Sequence, residues 1–348
     1  MGITVRAIDV GFGATKFVTA SANGAVDCSG FPSLAFFDLG DKGTDPIGGK
    51  RKTALVPVDG LLYEVGPEVE LAADRYRPRQ LHDDYTETPE YRALTAGALH
   101  YMKVDTVDLL VLGLPVAQYG SKRTSLEKAM TGTFDLGKRR RIEVRRTLVV
   151  AQPQGALFDY ATRNGQASIA KGTSLVIDVG SRTFDWLVTQ GTKVIAKMSH
   201  SVTRGVSDVL MAIAARIGAE IQEEYRRLEA IDVALRTGKP LRIYQEEYDL
   251  KRYDKVVQKI ADQAVLAMIQ RMDGTHDVEN IVLVGGGAYL FRKAIRRHFP
   301  KHTIHDVVEP QYANVRGFQL MGEKYVLERP DLFAGPGANV PCPSTRES

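Results

Sequence analysis

Short and mostly unbroken apolar runs punctuate the chain at residues 4–10, 107–112, 148–150, 174–179 and 281–284. Runs without polar alternation read as strands buried in a sheet. Residues 90–103 and 121–130, the stretch ending near Asn164 and the segment from Leu290 to His298 have helical period, and the chain is helical in pattern between about Gly205 and Met272. There Tyr253, Val256, Val257, Ile260, Ala264, Met268 and Met272 recur at three- and four-residue spacing, a stripe that reads as core packing. Tyr312 to Tyr325 reads as a last helix, broken or bent near Gly317.

Two hairpins interrupt this alternation. One joins Thr4–Val10 to Thr15–Ala20 and turns again at Asn23-Gly24; the other continues from Trp186–Val188 into Val194–Ala196. From Phe31 to about Pro89 the chain is irregular, rich in Gly, Pro and Asp, and reads as a small inserted subdomain of loops and short strands. From about Pro330 onward Pro, Gly and Ser without periodicity read as a disordered tail. Strands alternating with helices over 348 residues give an α/β protein large enough for two domains.

Composition changes this picture little. Apolar content of 44% and charged content of 25% are ordinary for a globular protein. No apolar run is long enough for a membrane span, and the N-terminus enters a strand without a signal-peptide pattern. Cys28 and Cys342 are the only cysteines, which indicates neither a disulfide framework nor a metal cluster and suggests a reducing cytoplasm. A net charge of +4 does not establish a nucleic-acid partner. The densest basic tract, Lys138 to Arg141 with Arg145 and Arg146, overlaps an alternating strand pattern from Arg141 to Arg145. Its basic face reads as solvated or paired with carboxylates, with a subunit or polyanion contact as the alternative.

The chemistry lies in a phrase that occurs twice. Ile8-Asp9-Val10-Gly11-Phe12-Gly13-Ala14-Thr15-Lys16 is matched by Ile177-Asp178-Val179-Gly180-Ser181-Arg182-Thr183-Phe184-Asp185. Each copy ends a strand with a carboxylate and a glycine, followed by a hydroxyl. A glycine-bearing turn exposes backbone N–H groups that cradle phosphate. A carboxylate beside phosphate is suited to holding Mg²⁺, usually through water. One such phrase is common, whereas two copies imply an internal duplication with the site in the cleft between the halves.

In order, the chain gives a phosphate turn, a helix that follows Gln152, a second phosphate turn, and a strand that ends in Gly285-Gly286-Gly287-Ala288. That order resembles the ATPase superfamily of actin, the heat-shock chaperones and the sugar kinases. Within it, the nearest likeness is to the ParM/StbA plasmid-segregation actins. The strings that carry this likeness are Phe31-Pro32-Ser33, Arg182-Thr183-Phe184-Asp185-Trp186 and Ala313-Asn314-Val315-Arg316-Gly317.

The resemblance implies a duplicated RNase H-like (actin-like) ATPase fold around a nucleotide cleft. Domain I would span 1–150, with 31–89 as its inserted subdomain, and would be joined by 314–327. Domain II would span 151–313, with a helical subdomain at 201–274, and the tail would be 328–348. ATP or ADP with Mg²⁺ would be the cofactor. Asp9 would hold the metal through water, while the Gly11 and Gly13 amides, Thr15 and Lys16 face the phosphates. Lys16 pointing to solvent or to a carboxylate is the alternative. Asp178 would sit opposite, orienting water or the metal shell, with Gly180, Ser181 and Thr183 lining the phosphates. Asp185 reads as structural.

Gln152 falls where the superfamily positions the attacking water, and Gln154 is the alternative. Gly285, Gly286, Gly287 and Ala288 would meet adenosine, with Gly205, Glu220 and Glu224 as candidates on the base's other side. Arg182 stands where many relatives have a small residue; it would contact phosphate, brace the loop or face solvent.

The function so implied is a cytoplasmic ATPase that assembles head to tail into filaments and segregates plasmid DNA. It would reach DNA through an adaptor of ParR type, with no direct sequence-specific DNA binding and no membrane contact. A sugar- or acetate-kinase-like phosphotransferase is the alternative, although no acceptor-facing base stands out. A chaperone-like ATPase would need a further domain after the core, and a cell-shape filament of MreB kind would need a membrane-binding segment.

Overall fold

The computed structural model describes residues 2–38, 49–72, 84–165, 172–191, 193–272 and 274–333. Cys342 and the tail beyond Phe333 lie outside the described residues. The described helices are α1 (Pro89–Met102), α2 (Val116–Ala129), α3 (Gln152–Asn164), α4 (Val206–Ile221), α5 (Leu228–Thr237), α6 (Asp254–Arg271), α7 (Ala288–His298) and α8 (Ala313–Glu328).

The fold is an actin-like arrangement of two sheets built to one plan. In the first, the strand order is Thr147–Ala151, Leu109–Leu114, Val5–Val10, Ala14–Ala22, Ala25–Pro32. In the second it is Thr303–Asp306, Val278–Val284, Thr173–Val179, Phe184–Gln190, Lys193–Val194, with His200–Val202 also pairing Phe184–Gln190. In each sheet an antiparallel hairpin has two parallel strands beyond its first strand and antiparallel pairing beyond its second. The register repeats as well: Asp9 stands opposite Lys16, and Asp178 stands opposite Asp185.

Buried apolar side chains clothe both faces. In the first sheet Ile8, Leu110 and Leu112 pack with Leu94 and Leu99 of α1, while Val5, Ala7 and Val111 meet Val315 and Phe318 of α8. In the second, α4, α6 and α7 cover one face and α3 covers the other through Ala156, Leu157 and Tyr160. The Met268 and Met272 stripe lies in that core, as its spacing predicts. Helices α3 and α8 therefore stand together between the two sheets.

They meet backbone to backbone. A Cβ on Gly317 would overlap the Gly155 carbonyl, and Phe318 fills the space beside Gly113 and Gly155. Gly317 does not break the last helix as its sequence suggested; α8 runs unbroken, and the glycine is there for this close approach. Beside it, Arg316 and Asp159 form a fully buried ion pair. Arg316 Nη2 donates to Asp159 Oδ2 at 2.9 Å and to the Val308 carbonyl at 2.7 Å. Arg163 Nε adds a bond to Asp159 Oδ1 at 2.9 Å.

The irregular stretch after the first hairpin contains a three-stranded sheet of Phe36–Phe37, Leu61–Val65 and Ala54–Val58. A second small sheet joins Thr106–Val107, Arg141–Val144 and Gly132–Asp135. In it the basic strand alternates exposed and buried residues, and its charges are paired. Arg145 bonds Asp108 at 2.7 Å, Arg141 lies 3.7 Å from Asp135, and Arg140 donates to the His100 and Val104 carbonyls at 3.1 and 3.0 Å.

Three boundaries differ from expectation. Helix α2 starts five residues before Ser121, directly after Pro115, because groups from the other sheet satisfy its first amides (below). Leu241–Ile243 and Glu246–Tyr248 form a hairpin inside the stretch expected to be all helix. The order also persists past residue 328, where Phe333 packs edge-on to Tyr325 with ring centroids 6.3 Å apart.

Candidate functional site

The two duplicated turns close in the same way. The Gly11 amide donates to the Ala14 carbonyl at 3.2 Å, and the Gly180 amide donates to the Thr183 carbonyl at 2.9 Å. These two N–H groups hold the turns shut, so the Gly11 amide is not directed at a ligand as expected. The turn tips face each other: a Cβ on Gly13 would come 2.8 Å from the Ser181 Cβ. Between the halves opens a cleft of about 730 Å³, lined by Asp9, Gly11, Gly13, Lys16, Gln152, Asp178, Gly180, Ser181, Thr183 and Gly285 to Gly287.

Two predicted residues are not on its wall. Thr15 is buried and its hydroxyl pairs with Ser33 Oγ at 2.9 Å beneath the turn. Ala288 is buried at the start of α7, its amide donating to the Gly285 carbonyl at 3.3 Å. Strand alternation explains the first, since Thr15 follows a turn that sends every second side chain inward.

Asp9 is 1% exposed, and both its oxygens are engaged. Lys16 Nζ donates to Oδ2 at 2.9 Å, and Gln152 Nε2 donates to Oδ1 at 2.8 Å. Burial lowers the Lys16 pKa, but the Asp9 carboxylate outweighs it, and the net shift is upward. Lys16 thus points at a carboxylate. Gln154 faces away and caps α3, its Oε1 accepting from the Ala151 amide at 3.0 Å. Of the two glutamines, Gln152 is the one in the cleft.

On the other half, Asn314 Nδ2 donates to Asp178 Oδ2 at 2.6 Å. Burial, then the neighbouring Asp185, pushes the Asp178 carboxyl up to about 7. Asp185 is buried too and also raised, chiefly by burial. It accepts from the Val116 amide at 3.2 Å and from Ser201, whose Oγ also accepts from the Ala117 amide at 3.1 Å. Asp185 therefore ties the second half to the start of α2, where a carboxylate complements the helix dipole.

A carboxyl raised on folding binds a proton that the unfolded chain has released, so native stability falls as pH rises between the two pKa values. For Asp178 that window runs from 3.8 to about 7, and Asp185 acts in the same direction. Lys16, raised within its alkaline range, leaves this window unchanged. His100 and His200, lowered chiefly by burial, oppose this trend within the same window, so the test is a difference between proteins. From about pH 5 to pH 7 the thermal midpoint of the ligand-free wild type should fall relative to that of Asp178→Asn; an equal slope in both proteins would refute the assignment.

Gly285 has φ +89° and sits against Asp178, where a side chain would collide, and its amide donates to the Pro310 carbonyl at 3.0 Å. Gly286 has nothing within 4 Å of where its Cβ would be, so the cleft reaches the backbone there. The opposite wall comes from Leu210 of α4 and from Glu229, Asp232, Val233 and Arg236 of α5. Of the three candidates for that wall, Glu220 is bound to Tyr253 and Arg252, and Glu224 pairs with Arg226, both away from the cleft. Gly205 packs on the Ser181 carbonyl and caps α4 instead. The α5 residues carried no motif; only the apolar face of a short helix marked the segment. Arg182 reaches across to the other turn, its guanidinium carbon 5.1 Å from the Phe12 ring centre. Phe12 in turn stacks on Tyr85 at 4.9 Å.

The donor set fits a phosphate-bound Mg²⁺. Asp9 and Asp178 are hard oxygen donors, and no cluster of three or more His, Cys, Asp or Glu occurs among the described residues. Two carboxylates from facing turns are the kind of donor taken by an ion that keeps most of its water and leans on substrate phosphate. Lys16 supplies the positive charge beside Asp9 in this arrangement.

No helix among the described residues is long and apolar enough to cross a membrane. No curated protein matches the sequence significantly. The chain is similar in structure to Ta0583, an archaeal actin homolog in complex with ADP, at TM-score 0.75 and 21% identity over 92% of this chain and 100% of that one. It is similar to the apo pSK41 ParM protein at TM-score 0.67 and 18% identity, covering 96% and 100% of the two chains. A subunit of a 15-stranded ParM filament from Clostridium botulinum matches at TM-score 0.74 and 16% identity, covering 93% and 100%. At these identities the likeness speaks for the fold. In sequence, residues 7–155 match the N-terminal domain of actin-like proteins, and residues 176–297 match the C-terminal domain of the archaeal MreB-like actin homologues. With both halves so matched and the duplicated turns facing one another, the chain belongs to the actin-like proteins.

Proposed function

We propose that this actin-like protein binds and hydrolyses ATP in the cleft and uses the nucleotide to control head-to-tail self-assembly. The observation that carries this reading is the meeting of Asp9, Gln152 and Asp178 in one cleft, between two glycine turns whose tips face each other. The tips of both turns would cradle the β- and γ-phosphates. Asp9 and Asp178 would hold Mg²⁺ through water, where the ion neutralises phosphate charge. Gln152 would orient the attacking water; an amide can align a water but is a poor proton acceptor, which suits slow, gated hydrolysis.

Assembly requires only that nucleotide bind the two arrangements of the halves with different affinity. A repeating contact that does not close gives a helical polymer. Movement of plasmid DNA through a DNA-bound adaptor of ParR type, in the cytoplasm, is the finer part of the proposal. It agrees with the modest net charge of +4 and with a basic hairpin whose arginines are largely paired.

Right-angle light scattering after addition of Mg-ATP, recorded alongside phosphate release, tests the reading. The expected result is a lagged rise in scattering that precedes phosphate release, with Asp178→Ala failing to release phosphate. ATP turnover without scattering at any reachable concentration would refute assembly and favour a phosphotransferase.

A further inference from the structure

In the string Ala313-Asn314-Val315-Arg316-Gly317, two residues serve the packing of α8 on α3. Gly317 admits α3, and Arg316 pairs with Asp159. Asn314 does neither. It is 6% exposed, and Nδ2 donates to Asp178 Oδ2 at 2.6 Å, while its Oδ1 is buried with no hydrogen-bond partner among the described residues. A buried acceptor left unsatisfied costs stability, and an apolar side chain of that size would avoid the cost. The retained asparagine is therefore accounted for by its amide end.

That amide is held in place by the helix crossing. The Asn314 carbonyl lies against Gly155, where a Cβ would approach it to 2.5 Å. Two residues later Arg316 is clamped by Asp159 and the Val308 carbonyl. The first turn of α8 is thus fixed on α3, and α3 begins at Gln152, which bonds Asp9. One crossing sets the groups on both sides of the cleft: Gln152 directly on one, and Asp178 through Asn314 on the other.

We infer that Asn314 is a positioning residue for hydrolysis: it fixes the Asp178 carboxylate in the cleft and makes its placement depend on the α3–α8 crossing. This rests on the proposed ATP hydrolysis. Apart from Asn314, the groups facing Asp178 are Gly285 from the glycine turn, Asp185 on the adjoining strand, and Asp9 and Lys16 across the cleft. None of them donates a hydrogen bond to it, so nothing described would replace the asparagine.

The test is steady-state phosphate release and fluorescent ADP binding with wild type, Asn314→Ala and Asn314→Leu, together with thermal midpoints. Loss of a group that orients a metal-shell or catalytic side chain typically costs about 10- to 100-fold in activity. Both variants should lose that much kcat, with KM and ADP affinity within about threefold of wild type by the same reasoning. Both variants leave Asp178 without its donor, so each should lower the thermal midpoint modestly; the fall should be smaller for Asn314→Leu, which also removes the unsatisfied oxygen and fills the space. Variants within about twofold of wild type in kcat would overturn the inference and leave ATP hydrolysis standing. A joint fall of kcat, ADP affinity and thermal midpoint would also overturn it, by assigning Asn314 to packing alone. Absence of turnover in the wild type would overturn both readings.

Discussion

Asp159→Ala should destabilise the protein by about 3–5 kcal/mol, read as a lower denaturant midpoint. The change removes one partner of an ion pair whose members are 0% and 2% exposed, and strands the Arg316 guanidinium between α3 and α8. Arg316 would keep the Val308 and Glu309 carbonyls, at 2.7 and 3.5 Å, and the largely exposed Glu309 carboxylate at 3.7 Å, a weak substitute for a buried partner. Replacing both members by apolar residues of similar size should cost far less, because neither desolvation penalty would then remain. A loss below about 1 kcal/mol for the single variant would show that water reaches the crossing and screens the charge. The contrast between single and double variants separates the cost of an abandoned charge from the worth of the pair.

Gln152→Ala should lower phosphate release by about 100-fold, the scale of loss when a reacting group is misplaced. It should leave ADP affinity nearly unchanged. Under the proposed cycle, the consequence is assembly without disassembly: scattering should rise on Mg-ATP and then fail to decay. Gln154→Ala serves as the control. It removes the bond from the Ala151 amide at 3.0 Å, a helix cap worth about 1 kcal/mol, and should leave hydrolysis within a few-fold of wild type. Equal losses in the two variants would mean that α3 merely has to be intact.

The sequence was most informative where chemistry and backbone coincide. Strands bearing Asp9 and Asp178 are mostly apolar runs followed by glycine, so strand, turn and carboxylate could be recognised together. The duplication made their opposition across a cleft legible as well. What resisted reading was set by contacts distant in sequence. Ser121 looked like a helix start because Pro115 and the residues after it carry no side-chain cap, whereas the first amides of α2 are satisfied by Asp185 and Ser201 from the other half. Gly317 looked like a helix breaker because its reason lies on α3, at Gly155. The wall formed by α5 went unseen because Asp232 and Arg236 sit on an ordinary amphipathic helix, where an i,i+4 ion pair reads as surface decoration.

The two central hairpins share a register but not a charge. Opposite Asp9 stands Lys16, and opposite Asp178 stands Asp185. One half of the cleft is thus electrically balanced within its own hairpin, while the other carries a local excess of acid. A duplicated backbone has in this way become electrically unequal in its two halves. The excess is met from outside its own sheet by the α2 amides through Asp185, so the surplus charge of one half serves as an attachment to the other.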